Sequence, residues 1–408
     1  MTSQLAAPRD LTIPEPGSTT ARDVLSRAMA VAHGELRAAL RGAPAGAREE
    51  ALVLARLVRD AASSKPLMGA LLSALRRPTV AGPLRCLRSQ SLPDRRGVFV
   101  ELTAQLCFAL ALAGVLTEPV RIPHAPARLL AIPARLGLAL EPGVTGLVFE
   151  SGRVTVERGS AAARVDLAAA TPVPGVAVER PYHPISGEIV LALADNNPLA
   201  LVEAHPDKSG NAIDLGGHPV SEWTAALGAA FDRIGRHLPD LRAEMDLHLS
   251  QVVPVGWDPE KHLSASYQEI LGTVYLTLHP SQMTLSEALI HEFSHNKLNA
   301  LFELDEVLEN AWSPLYASPV RPDPRPLHGV LLAVHAFQPV ARLYERMIAA
   351  GDHEADHEDF RRRFADIRRI NREGAQVILD AGRPTPVGRG LLDEIRRWDE
   401  HYARFDEG

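Results

Sequence analysis

Two histidines four residues apart, in His291-Glu292-Phe293-Ser294-His295, constrain this chain more than any other local feature. An α-helix brings positions i and i+4 to within about 5–6 Å on one face, whereas a strand spreads them about 13 Å apart, so the imidazoles meet only if this stretch is helical. Thr284-Leu285-Ser286-Glu287 has the form of a capping box and predicts a helix start just upstream. Leu289, Ile290 and Phe293 surround the pair, which predicts a buried helix. Two imidazoles at this spacing can share one metal ion, with Glu292 beside a metal-bound water. A chance HExxH is the bland alternative, and the capped, apolar setting argues against it.

A third ligand has to come from elsewhere. The extended zincin pattern needs Gly at 298 and His at 301; Leu298 and Leu301 stand there, which excludes that protease subclass. Glu303, Glu306 and Glu309 follow closely and read as surface charges on a continuing helix. His328 and His335 lie seven residues apart, again on one helical face. His335 projects from an apolar stretch and needs a polar partner or a metal, so it is the expected third ligand. His328, beside a Pro-rich loop, is the reserve. Lys297, Arg321 and Arg325 add positive charge to the region. Each alone is an ordinary surface cation; together they suit an anionic cosubstrate whose far carboxylate must be neutralised.

At 408 residues, 46% hydrophobic and 23% charged, the chain has enough material for an ample core and more than one domain. Residues 1–20 are rich in Pro, Ser and Thr and are expected to be a disordered tail. Residues 21–116 read as a helical section, with helices over about 20–40, 49–63, 67–76 and 98–116. Residues 117–215 read as strand-rich, with strands at 146–150, 153–158, 162–167 and 188–193 and a hairpin turn at 150–153. Residues 216–408 read as a mainly helical section that carries the metal helix, interrupted by strands at 249–255 and 272–278. The expected class is therefore α+β, mainly helical.

The N-terminus lacks the basic and apolar regions of a signal peptide, and no apolar run is long enough to span a membrane. A net charge of −7 without a basic block argues against nucleic acid as a partner. Cys86 and Cys107 lie in apolar surroundings without nearby metal-ligand partners and read as reduced core residues. Together these features imply a cytoplasmic protein.

Three longer stretches carry a family resemblance. They are Asp195-Asn-Asn-Pro-Leu-Ala-Leu-Val-Glu-Ala-His-Pro206 with Asp207-Lys-Ser-Gly-Asn211, then Ser286-Glu-Ala-Leu-Ile-His-Glu-Phe-Ser-His-Asn-Lys-Leu298, then Tyr316-Ala-Ser-Pro-Val-Arg-Pro-Asp-Pro-Arg-Pro-Leu-His-Gly329. Over about 190–345 the chain resembles the HExxH-motif peptide-modification proteins of ribosomal peptide (RiPP) biosynthesis, which are iron(II)- and 2-oxoglutarate-dependent peptide β-hydroxylases. The resemblance implies iron(II) on His291, His295 and His335, with 2-oxoglutarate and O2 as cosubstrates and a ribosomal precursor peptide as substrate. It places the far carboxylate of 2-oxoglutarate on Lys297 or Arg325, with Arg321 in the same loop, and gives Glu292 an orienting role. A zinc metallopeptidase with Glu292 as general base is the competing expectation. A metal that only staples a peptide-binding fold is a third.

Overall fold

The helix-forming residues of the first section fold as α1 (Thr20–Arg41), α2 (Arg48–Ser63), α3 (Lys65–Leu75), α4 (Pro78–Cys86) and α5 (Arg95–Leu112). These come from a computed structural model, which describes residues 7–89, 92–200, 204–205 and 208–405. Four of the helices match the periodic segments of the sequence. The unexpected one, α4, carries Pro83 in its interior, which masks its helical signal; Pro78 at its start is compatible with a first turn.

The next residues form β1 (Val120–Ile122), β2 (Arg128–Ala131), β3 (Leu136–Leu140), β4 (Gly146–Glu150), β5 (Arg153–Arg158), β6 (Ala161–Asp166) and β7 (Val176–Glu179). They make two antiparallel sheets, ordered β1-β4-β5-β6 and β2-β3-β7. The expected hairpin is present: Glu150 pairs with Arg153, and Gly152 takes the positive φ of 73° that the two-residue turn requires. Leu54, Leu71, Phe99 and Phe108 of the helices share one core with Leu129, Leu147, Phe149 and Val165 of the strands. Position 116 thus separates two textures and not two cores.

A third sheet spans the expected boundary at 215. Its strands are β8 (Tyr182–Ser186), β9 (Ile189–Ala192), β12 (Gln251–Trp257), β13 (Ser264–Ala265) and β14 (Thr273–Leu278), in the order β13-β14-β12-β9-β8. A short ladder, β10 (Ala204–His205) with β11 (Lys208–Ser209), lies between β9 and β12 in sequence. β9, β12 and β14 run parallel, and α6 (Val220–His237) and α7 (Pro239–His248) supply the crossover that parallel neighbours require.

The C-terminal part consists of α8 (Gln282–Phe302), the small hairpin β15 (Leu315–Tyr316) and β16 (Arg325–Pro326), then α9 (Leu327–Ala349), α10 (Glu358–Ala381) and α11 (Pro386–Arg404). α8 and α9 are antiparallel: Phe302 meets His328 at one end, and Glu287 meets Tyr344 at the other. The protein is α+β and mainly helical, 51% helix and 17% strand, with a strand-rich middle. Among the described residues no helix is long and apolar enough to cross a membrane. Cys86 and Cys107 are free thiols in the core.

One expectation is corrected outright. Residues 1–20 are not a disordered tail beyond position 6: Leu11 and Thr12 are fully buried and Ile13 nearly so. Residues 1–6 lie outside the described residues. The backbone N–H groups of Thr12 and Ile13 donate to the carboxylate of Glu394 on α11 at 3.0 Å. Gly390, one turn away, has no side chain to obstruct the Pro8 carbonyl. A segment without periodicity is ordered here because a helix 380 residues later satisfies its backbone.

Candidate metal centre

α8 carries the His-Glu-His motif on a helix buried nearly all round. Leu285, Leu289, Ile290 and Phe293 enter one core, and Leu298, Ala300 and Leu301 enter another. Its start differs from the expected capping box. Ser281 is the N-cap and accepts from the Thr284 N–H at 3.2 Å, so the helix begins before Thr284. Glu287, the expected box partner, instead binds Arg363 of α10 and accepts from the Tyr344 hydroxyl.

The polar residues of this buried helix fix its position. Asn296 accepts from the Gly272 N–H at 2.7 Å and donates to the Thr273 carbonyl at 3.1 Å, tying α8 to the entry of β14. Gly272 has φ 89°, and an added Cβ would stand 3.0 Å from the His248 carbonyl, so this close junction requires glycine.

His291 Nε2 and His295 Nε2 face each other at 2.9 Å, with the rings nearly perpendicular. Phe337 of α9 sets its ring against His291 at 4.8 Å between centroids. Glu292 is 3% exposed and completes the group: one ligand atom from each of the three lies within 4.8 Å of the others. Both Glu292 oxygens are already engaged. Oε1 accepts from Ser264 Oγ and Oε2 from Ser266 Oγ, each at 2.7 Å. Position alternation along the strand sends both hydroxyls to the α8 side of the sheet.

Burial holds the His291 pKa well below the ordinary histidine range, and the charges of His295, Arg363 and His262 add to the effect. Burial also lowers His295, against a smaller opposing pull from Glu292. Both rings are thus neutral at pH 7, the form that binds a metal. His295 Nδ1 is buried without a hydrogen-bond partner among the described residues. Two neutral imidazole nitrogens directed at one another, beside a fixed carboxylate, fit a small divalent cation.

The other expected site residues lie outside the 4.8 Å group, although the charge of His295 reaches both His328 and His335. His335 is fully buried on α9, its ring against the Leu11 backbone and close enough to Lys297 to feel its charge. Neither of its nitrogens has a hydrogen bond of ordinary geometry among the described residues. His328 is sandwiched between Phe302 and Trp312, with ring centroids at 4.5 and 4.4 Å. Lys297, two residues past His295, projects from a different side of α8. It is fully buried, 2.6 Å from Glu244 of α7, and donates to the Thr12 carbonyl. Arg325 pairs with Asp323, and Arg321 is exposed on the same loop. Of the acidic residues after the motif, Glu303 pairs with Arg88 at 2.9 Å and Glu306 and Glu309 are exposed.

Several residues at the site escape a motif reading. Ser264, Ser266, Phe337 and Arg363 arrive from other elements, and no local pattern flags them. His262 lies two residues before Ser264 with both ring nitrogens buried and unpartnered among the described residues. Of the Asp195–Asn211 stretch that carries part of the resemblance, residues 201–203 and 206–207 lie outside the described residues. No protein-family model and no curated protein sequence matches the chain.

Proposed function

We propose that this protein is an iron(II)- and 2-oxoglutarate-dependent hydroxylase acting at a β-carbon in a ribosomally made precursor peptide. His291 and His295 hold the metal on one face of α8. Iron(II) with 2-oxoglutarate and O2 would supply the oxidising power to replace C–H by C–OH, with succinate and CO2 as co-products. Phe337 walls the centre on its α9 side and limits water there. Arg363, whose charge reaches His291, is itself paired with Glu287 at 2.7 Å. Lys297 serves the fold in this reading, because Glu244 already neutralises it.

The observation that supports an oxygenase over a zinc peptidase is the double clamp on Glu292. A peptidase needs that carboxylate free to take a proton from the attacking water. Here each oxygen accepts a serine hydroxyl at 2.7 Å, an arrangement suited to orienting neighbours.

Glu292→Gln separates the two chemistries. As an outer-sphere residue its loss should slow turnover roughly 10–100-fold, leaving succinate formation and a +16 Da peptide product measurable by mass spectrometry. Cleavage of the peptide by wild type with zinc, lost in Glu292→Gln and independent of 2-oxoglutarate, would instead establish the peptidase.

A further inference from the structure

The sheet that α8 packs on has two edges, and they are finished differently. β8 carries Pro184 and a register shift between Pro184 and Ser186, two devices that keep a further strand from pairing there. The opposite edge is β13 with its flanks. His262-Leu-Ser-Ala-Ser266 contains neither proline nor a carboxylate, lysine or arginine, and residues 262–269 are all half-buried.

The register fixes which backbone groups face outward. Thr277 N–H donates to the Leu263 carbonyl at 2.9 Å, and Ser264 stands opposite Leu276, so Leu263 and Ala265 turn their backbone groups to β14. Ser264 occupies the alternate position. Its N–H and C=O point to the open edge, where no backbone partner is found among the described residues. Its side chain points to α8, where Oγ donates to Glu292 at 2.7 Å. Glu292 in turn has a carboxylate oxygen within 4.8 Å of the ligand nitrogens of His291 and His295. An unguarded strand edge thus runs one carboxylate away from the imidazole pair.

An extended chain fits such an edge, because it meets the outward N–H and C=O together. A residue opposite Ser264 in an antiparallel pair exchanges both bonds with it and sends its side chain to the same face. That face carries α8, so the β-carbon is the side-chain carbon brought first toward the metal histidines. We propose that β13 is the docking edge for the peptide substrate, which adds as an antiparallel strand with its reacting residue opposite Ser264. The inference deepens the hydroxylase reading above and rests on it for the chemistry, whereas the strand addition is read out by binding alone.

The test uses the full-length chain loaded with iron(II) in the absence of oxygen, and binders selected from a library of short random-sequence peptides. In the unmutated protein a selected peptide should slow amide exchange at Ser264 and leave β8 unchanged. N-methylation should weaken binding roughly 10-fold at the peptide residue opposite Ser264, where a hydrogen bond is lost. At its two immediate neighbours, whose N–H groups face away, N-methylation should leave binding unchanged. Ser264→Pro, which removes the outward N–H, should bind about 10-fold more weakly than Ser264→Ala, which loses the same hydroxyl and keeps that donor. The exchange and N-methyl measurements hold even if neither variant folds. Exchange slowed elsewhere with Ser264 unchanged, equal tolerance of N-methylation at every position, or no peptide selected would overturn the proposal. So would a second copy of the chain on this edge, seen as a doubled mass and a slowed Ser264 amide without peptide. Admitting oxygen and 2-oxoglutarate to the same complex tests the chemistry apart from the docking. A peptide seated on β13 that yields no succinate would count against the hydroxylase and leave the edge assignment standing.

Discussion

At the residue scale, burial is what gives each histidine and cation near α8 a different task. Lys297 and His295 are two positions apart, yet one ends in a dry ion pair and the other at the proposed centre. A lysine that is fully buried must be paired, and Glu244 at 2.6 Å answers that need. His248 shows the same pressure without a counter-charge. Burial, with Lys297 adding to it, pushes its pKa from 6.5 down to about 3. Keeping this ring neutral contributes nothing against the unfolded chain above about pH 6.5, where both states are neutral. Below that, the unfolded state takes up a proton that the folded state refuses, so stability falls as pH drops from 6.5 toward 3. Urea denaturation midpoints between pH 7 and 4 should fall less steeply in His248→Leu than in wild type. Parallel profiles for the two proteins would show that this ring does not titrate on unfolding.

At the element scale, the site depends on how α8 is seated against β14 and β13. The Asn296 side chain bridges Gly272 and Thr273, and Glu292 reaches back to Ser264 and Ser266. Helix, central strand and edge strand are thus joined at two points along the helix. Gly272 is the tightest point of this junction. Gly272→Ala meets both a left-handed backbone and the His248 carbonyl, and strain of this kind costs about 1–3 kcal/mol. A lowered denaturant midpoint is expected, together with weaker metal binding because Asn296 loses its register on β14. A variant as stable as wild type, with unchanged metal affinity, would show that this seating tolerates movement.

At the scale of the whole molecule, the segment around residues 8–13 and α11 pack together beside α8. The segment around Leu11–Ile13 lies between Glu394 of α11 and Lys297 of α8, and burial raises the Glu394 pKa to about 6. Gly390→Ala would drive a methyl group into the Pro8 carbonyl, an overpacking that costs about 1–3 kcal/mol. Thermal denaturation should show the loss, and limited proteolysis should cut within the first 16 residues sooner than in wild type. Equal melting and equal cleavage would mean that the segment is held elsewhere. The sequence by itself determined what repeats locally: the α8 pair at i and i+4, the hairpin at Glu150–Arg153, four of the first five helices and the mainly helical α+β class. Those features follow from backbone periodicity, turn chemistry and side-chain propensity, which act over a few residues. Only the tertiary structure decided that β8 and β9 pair into a sheet with strands some 60 residues later, and that Ser264 and Ser266 hold Glu292. It also turned Lys297 toward Glu244. A helical wheel places a side chain on a face; which partner that face meets depends on how distant elements pack, and no local pattern encodes it.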